Sequence, residues 1–286
     1  MSRTVFLNGE YIASDQATVS VFDRGLLFGD GIYEVTAVVN GQLVDFDLHI
    51  DRLLRSARSI GLVVPLFRSE WRSVHERLIS ANDLVEGIVY VQITRGVAER
   101  DFVFDPTLAT SVVGFTQKKT LCSGDKLDKG IATELVEDIR WKRRDIKSTS
   151  LLAQVLAKQR ASIQGAAEAL MHENGVITEG GSTSVFGVDR DGVLRTHPLG
   201  SSILPGITRH VVLELARGES MRISEKPIGL DDLPHMREIF ITGSTYFVVP
   251  VVRIGSTLVN HGEVGSLTKR LQRLYIERAT TLPTSG

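Results

Sequence analysis

Three Asn-Gly pairs constrain the fold of this chain more than any other sequence feature. Asn8-Gly9, Asn40-Gly41 and Asn174-Gly175 each stand between short runs rich in β-branched, aromatic and other apolar residues. Asn and Gly tolerate the positive φ angles that two-residue hairpin turns require. Antiparallel hairpins are therefore expected in both halves of the chain, and an alternating βαβ array is disfavoured.

The residues between the turns alternate between strand and helix patterns. We predict helices with a cap at Asp47 and an end at Gly61, and then at 69–81, 151–163 and 207–217, from the spacing of their apolar residues. Valine-rich and isoleucine-rich runs predict strands at 4–7, 10–12, 32–39, 42–46, 87–94, 111–116, 131–136, 184–188, 193–196 and 238–242. The pattern indicates an α+β fold with an N-terminal α/β domain at 1–119, a linker at 120–129 and a C-terminal domain at 130–286.

Charge and cysteine content disfavour several classes of function. The 33 Lys and Arg residues balance 34 Asp and Glu residues, so a nucleic-acid partner or an anionic membrane surface is not expected. Apolar runs fall far short of the roughly 20 residues that span a bilayer. The single cysteine, Cys122, rules out an intrachain disulfide and a cysteine-rich metal site, and it favours the cytoplasm. No metal is expected.

Lys147 is the first candidate for covalent chemistry. It precedes the helix predicted at 151–163, where the helix start and the neighbouring Arg143 and Arg144 disfavour its charged form. A lysine in this setting suits Schiff-base formation. An ordinary solvated lysine fits the position as well.

A carboxylate and an anion site follow further along the chain. Glu179 ends a predicted strand before Gly180-Gly181, where it can approach a flat ligand, although a turn residue is the alternative. Pro205-Gly206 opens a helix whose first amides can bind an anion, unless it is an ordinary turn. Ser244 and Thr245 could add hydroxyls. Together with Lys147, these groups match the needs of pyridoxal 5′-phosphate (PLP).

Five motifs then show a resemblance to known enzymes. They are Asp23–Val35, His49–Leu53, Glu137–Lys147, Thr178–Gly180 and Gly206–Arg209. In this order and spacing, the chain resembles the class IV (fold type IV) aminotransferases and is most similar to the bacterial D-amino acid transaminases within them. The resemblance implies a two-domain fold type IV PLP enzyme that moves an amino group from a D-amino acid donor to a 2-oxo acid.

The resemblance also assigns roles to individual residues. It implies that Lys147 forms the Schiff base and carries the proton, and that Glu179 pairs with the pyridine nitrogen. It implies phosphate binding by Arg52, the amides of Ile207 and Thr208, and Ser244, with Thr245 beside it and Leu204 under the ring. Relatives are homodimers with active sites near the interface, so segments 21–33 or 95–106 are expected to cross it.

The substrate side departs from the pattern of D-amino acid transaminases. In that family a Tyr, an Arg and a His hold the substrate carboxylate, and Tyr33 and Arg100 match the first two. Phe102 stands where the histidine is expected, and Tyr246 adds a further aromatic side chain. The pocket is thus expected to be more apolar and to favour an (R)-amine as an additional substrate. Packing of these aromatic residues in a domain or subunit interface is the alternative.

Other functions on the same fold stay open. An (R)-selective amine transaminase with weak D-amino acid activity is the nearest, followed by an aminodeoxychorismate lyase and a branched-chain amino acid transaminase. Arg100 argues against the lyase. The complete set of Lys147, Glu179 and Arg52 argues against a PLP carrier without catalytic activity.

Overall fold

The computed structural model describes residues 2–281, which fold into two compact units. The first unit holds residues 2–120 and 146–151, and the second holds 121–145 and 152–281. The sequence analysis placed 146–151 in the C-terminal domain. In the structure they group with the first unit, because Tyr33 N–H donates to Lys147 O (3.0 Å) and Thr149 N–H donates to Gly31 O (3.0 Å).

The first unit is a six-stranded antiparallel sheet with three helices. Its elements are β1 (Thr4–Leu7), β2 (Glu10–Ala13), α1 (Arg24–Phe28), β3 (Gly31–Val39), β4 (Gln42–Leu43), α2 (Phe46–Ser59), α3 (Arg68–Ala81), β5 (Gly87–Thr94) and β6 (Ser111–Lys118). The strand order is β2-β1-β6-β5-β3-β4. The hairpin turns at Asn8-Gly9 and Asn40-Gly41 are confirmed, and all four residues have positive φ.

The core of the first unit lies between its sheet and the apolar faces of α2 and α3. Leu53 of α2, and Trp71 and Leu78 of α3, are completely buried against strand residues such as Val89 and Ile93. These are the faces that the helical spacing predicted. Burial of these two apolar faces accounts for the positions of both helices.

The chain between β4 and α2 differs from the prediction. The strand expected at 42–46 ends at Leu43, and α2 begins at Phe46, where Asp47 lies in the first turn and does not cap the helix. Asp45 has a φ of 54° and redirects the chain, and Phe46 is buried in the core. Burial of Phe46 as part of a helix therefore outweighs its strand propensity.

The second unit is built on a mixed sheet. Its elements are α4 (Asp125–Asp128), β7 (Ile131–Glu137), α5 (Leu152–Ile163), β8 (Glu168–Glu173), β9 (Val176–Gly180), β10 (Ser184–Val188), β11 (Leu194–Thr196), α6 (Ile207–Gly218), β12 (Ile223–Ser224), β13 (Ile228–Gly229), β14 (Glu238–Gly243), β15 (Phe247–Ile254), β16 (Thr257–Leu258) and α7 (Ser266–Thr280), with 3₁₀ turns at Leu230–His235 and Asn260–Gly262. The order is β12-β11-β10-β14-β15-β7-β8-β9-β13, with β16 beside β15. β7 runs parallel to both neighbours, and β12 runs parallel to β11.

Helix α5 has the predicted position and an unexpected exposure. Its small residues Ala157 and Ala161 are buried, whereas the side chains of its apolar stripe, including Leu152, Val155 and Leu156, are exposed. The segment predicted as a linker contains α4. Among residues 2–281, no helix is both long and apolar enough to cross a membrane.

Candidate active site

Lys147 lies in an extended segment beside β3. Ser148 forms a bridge with Ile32, and the Lys147 N–H donates to Ser56 Oγ (3.3 Å). The half-buried Nζ is 4.1 Å from the centre of the Tyr33 ring. Helix α5 begins at Leu152, so Lys147 precedes the helix but lies outside its first turn. Backbone hydrogen bonds to β3 fix the main chain at Lys147, and its amine lies over an aromatic face.

Arg52 belongs to a buried cluster of charged side chains with Glu34 and His49. It lies on α2, and its Nε (2.6 Å) and terminal nitrogen (2.8 Å) donate to the two oxygens of Glu34 on β3. His49 Nδ1 lies 2.8 Å from the same carboxylate. Burial alone would raise the pKa of Glu34, but the Arg52 guanidinium and His49 hold it well below its usual range. Glu34 thus stays ionised and fixes the direction of Arg52.

Arg100 and Phe102 lie on the loop between β5 and β6. Both side chains are exposed, and the Phe102 side chain is 77% accessible. The Arg100 guanidinium lies 5.5 Å from the Phe28 ring centre and 5.7 Å from that of Phe102. The Arg100 guanidinium therefore lies near two aromatic rings. One of them belongs to Phe102, which stands where the family pattern has a histidine.

Glu179 is a buried carboxylate of the second unit. It lies near the end of β9, where Arg140 contacts its Oε1 and Leu204 N–H lies 3.2–3.3 Å from both of its oxygens. Burial raises the pKa of the Glu179 carboxyl, and Arg140 and the Leu204 N–H partly offset this rise. Arg140 is in turn held by Asp138 at 2.6 Å.

Asp138 also bonds to β9, the strand that carries Glu179. Its Oδ2 accepts a hydrogen bond from Thr178 Oγ1 (2.6 Å) and lies 3.3 Å from Arg144. The guanidinium of Arg140 thus bridges two buried carboxylates, Asp138 and Glu179. The orientation of Glu179 is therefore set by Arg140 and the Leu204 N–H, and Asp138 holds Arg140 in place.

The start of α6 offers anion-binding groups. Gly206 is the N-cap and provides no side-chain cap for the first amides of the helix, at Ile207 and Thr208. Thr208 Oγ1 is buried and has no hydrogen-bond partner among the described residues. An unpaired buried hydroxyl is costly, so a bound anion that accepts its hydrogen bond would stabilise this helix start.

Ser244, Thr245 and Tyr246 form the turn between β14 and β15. Tyr246 N–H donates to Gly243 O (3.0 Å), and its hydroxyl lies 3.1 Å from Lys158 Nζ. Lys158 also contacts the fully buried Glu168 at 3.0 Å. The Tyr246 hydroxyl is thus held by Lys158 of α5, which in turn contacts Glu168 of β8. A place for Tyr246 beside the substrate stays a prediction.

Four residues around these groups were missed by the sequence analysis. They are Glu34, Asp138, Arg140 and Lys158. Glu34, Asp138 and Arg140 stood inside two of the recognised motifs, but no local pattern marked them as parts of the site. No group of three or more His, Cys, Asp or Glu side chains in residues 2–281 is arranged to hold a metal ion.

In each unit, the groups described above suit a different part of the PLP molecule. The first unit provides an amine and an arginine oriented by a carboxylate. The second provides a buried carboxylate for a ring nitrogen, and a helix start with the unsatisfied Thr208 hydroxyl for a phosphate.

Comparisons with known proteins agree with this chemistry. Residues 31–254 match the family described as amino-transferase class IV. A D-alanine aminotransferase of Staphylococcus aureus is 39% identical over 277 residues, which cover 96% of this chain and 98% of that protein.

Solved structures share the fold. The branched-chain amino acid aminotransferase of Escherichia coli has a TM-score of 0.92 at 24% identity, covering 100% of this chain and 97% of its own. A hypothetical aminotransferase from Mycobacterium tuberculosis, in its PLP-bound form, has a TM-score of 0.84 at 19% identity, covering 97% of this chain and 99% of its own.

Proposed function

Because the chain belongs to the class IV aminotransferase family, we propose that this PLP-dependent transaminase moves an amino group from a D-amino acid to a 2-oxo acid. The full-length similarity to D-alanine aminotransferases is the observation that carries the proposal. The likeness to the two solved structures lies below 25% identity, so it bears on the fold alone.

The family resemblance assigns the residues that would hold PLP. Arg52, the amides of Ile207 and Thr208, and the hydroxyls of Ser244 and Thr245 would bind the phosphate, and Leu204 would pack under the ring. Arg52 is suited to this role because Glu34 presents it in one fixed orientation. When bound, PLP supplies an electron sink for negative charge at the substrate α-carbon.

Two residues perform the proton chemistry. Glu179 would accept a hydrogen bond from the pyridine N–H and so keep that nitrogen protonated. Lys147 Nζ would hold the cofactor aldehyde and would accept and return the proton of the substrate α-carbon. The position of Lys147 supports this role, because backbone hydrogen bonds to β3 fix its main chain and its Nζ lies over the ring of Tyr33, the proposed substrate-binding tyrosine.

Substrate recognition rests on Tyr33 and Arg100, with Phe102 and Tyr246 as apolar neighbours. Arg100 binds the carboxylate through its planar fork. Phe102 cannot donate the second hydrogen bond, and the rings of Phe28 and Phe102 lie beside Arg100. These rings favour an arylated (R)-amine as a second class of donor.

We further propose a cytoplasmic homodimer. Exposed apolar side chains support the dimer, since large apolar patches on a monomer mark association surfaces. They include Val21, Leu26, Phe102 and Val103 of the first unit and Leu152, Val155, Leu156 and Ile163 of the second.

Mixing the yellow holoenzyme with single amines tests the substrate class. We expect D-alanine, and not L-alanine, to convert the visible absorbance of the bound cofactor to that of the pyridoxamine form. Conversion by (R)-1-phenylethylamine alone would overturn the D-amino acid assignment and leave an (R)-amine transaminase. Conversion by L-alanine would overturn both.

A further inference from the structure

Two buried arginines share one carboxylate next to the substrate loop. Arg24, at the start of α1, places Nε 3.0 Å from Asp30 Oδ2, and Arg95 places Nε 2.8 Å from the same oxygen. Arg24 is 3% exposed and Arg95 is 5% exposed. Buried charges of this kind are retained when they are paired and fix a defined arrangement. We call Arg24, Asp30 and Arg95 the arginine clamp.

The clamp holds the main chain of the β5–β6 loop. Arg24 donates from its two terminal nitrogens to Asp101 O (2.5 Å) and Phe102 O (3.3 Å). Arg95 stacks over the Phe104 ring at 3.7 Å, and its terminal nitrogens donate to Gly61 O and Ile60 O. Through these bonds the loop is tied to the body of the first unit directly after Arg100.

Phe102 and Val103 contribute little packing within one chain. Phe102 is 77% exposed and Val103 is 81% exposed, so apolar burial within the chain does not fix this part of the loop. Helix α1 supplies both the clamp residue Arg24 and the ring of Phe28, which lies 5.5 Å from the Arg100 guanidinium. One short element therefore controls the main chain next to Arg100 and one face of its side chain.

We propose that Arg24, held by Asp30, is a positioning residue that directs Arg100 and thereby sets the affinity for carboxylate-bearing substrates. The inference rests on the proposed function, which gives Arg100 the substrate carboxylate. The planar fork of Arg24 bonds one carboxylate and two carbonyls at once. The single ammonium of a lysine cannot reproduce that geometry.

The test compares Arg24→Lys and Asp30→Asn with Arg77→Lys, an exposed arginine on α3 that lies over Tyr11. For both clamp variants we expect the KM for D-alanine to rise about tenfold with kcat changed less than about twofold, because a binding interaction is lost uniformly. PLP content should stay unchanged. Amide hydrogen exchange at 101–104 should become faster.

The possible outcomes distinguish a failure of the arginine clamp from a failure of the proposed function. A KM for D-alanine equal to that of Arg77→Lys, or a fall in kcat without a rise in KM, would overturn the clamp. If the wild-type enzyme does not accept D-alanine, the proposed function fails. Hydrogen exchange then tests the positioning role of the clamp by itself. Faster exchange at 101–104 in the clamp variants alone supports the positioning role, and unchanged exchange contradicts it.

Discussion

Glu34 is bonded to Arg52 through both carboxylate oxygens, although neither its spacing nor its neighbours single it out in the sequence. In Glu34→Gln the guanidinium loses its charged partner inside the protein, so Arg52 should no longer be held toward the phosphate. We expect the Kd for PLP to rise about tenfold or more, or about 1.4 kcal/mol. The free energy of unfolding should fall by about 3 kcal/mol.

A titration of the apoenzyme with PLP and a urea denaturation curve measure these two effects. Glu76→Gln is the matched control, since Glu76 faces Arg72 at 3.9 Å on the exposed side of α3. Equal PLP affinity in Glu34→Gln and Glu76→Gln would contradict the role given to Glu34.

Arg140 has a corresponding role beside Glu179. Burial raises the pKa of the Glu179 carboxyl, and Arg140 opposes that rise. In Arg140→Met the pKa of Glu179 should rise further, so a larger fraction is protonated near neutral pH. We therefore expect the acidic limb of the kcat profile to move to higher pH, by about one pH unit or more.

The control for this variant is Arg143→Met, whose exposed pair with Asp145 lies outside the Glu179 cluster. The two profiles should differ only on the acidic side. An Arg140→Met profile that is lowered uniformly without moving would show that Arg140 does not act through the protonation of Glu179.

The candidate residues that the sequence revealed are those with a local signal. Lys147 stood out before a predicted helix, and Glu179 stood out before two glycines. Glu34 and Arg140 acquire their roles from partners 18 and 39 residues away, so no local pattern could pair them. Backbone bonds between Lys147 and β3 were likewise invisible in the sequence.

At the scale of elements, turns were predicted best. The three Asn-Gly pairs all join the hairpins expected of them, because their φ angles leave few other choices. Element bounds were less accurate wherever tertiary packing decided them. Phe46 joins a helix because its side chain is buried in the core, and α5 exposes its apolar stripe, including Leu152 and Val155.

Gly175 tests the role of these turns. It has a φ of 76°, and a Cβ there would meet nothing within 4 Å, so Gly175→Val should act through the backbone alone. We expect a loss of about 1–2 kcal/mol in the free energy of unfolding.

Gly200→Val is the control, since Gly200 has open space and no positive φ, and it should stay within about 0.5 kcal/mol of the wild type. Equal stability of the two variants would show that the turn tolerates an L side chain. Chemical denaturation at one temperature provides the comparison.

At the scale of the whole molecule, exposed apolar surface is the main feature that a single chain leaves unexplained. Val103 is 81% exposed and Leu156 is 53% exposed. If the homodimer covers them, light scattering should give twice the chain mass of 31.4 kDa. Val103→Asp and Leu156→Asp should each shift the protein toward monomer, because an aspartate in an interface core is desolvated without a partner.

Val85→Asp is the control for this experiment, because Val85 is 66% exposed in the short connection before β5. It should leave the mass unchanged. A wild-type protein that is monomeric at micromolar concentration would contradict the dimer and would leave the exposed stripe of α5 for another partner.

Lys147 is proposed to carry the cofactor and to release it to a D-amino acid. Borohydride reduction of the holoenzyme, followed by peptide mass spectrometry, tests this role. We expect a phosphopyridoxyl group on Lys147 and on none of the other eight lysines, and its loss after prior incubation with D-alanine. A label on another lysine, or one on Lys147 that persists after D-alanine, would rule this role out.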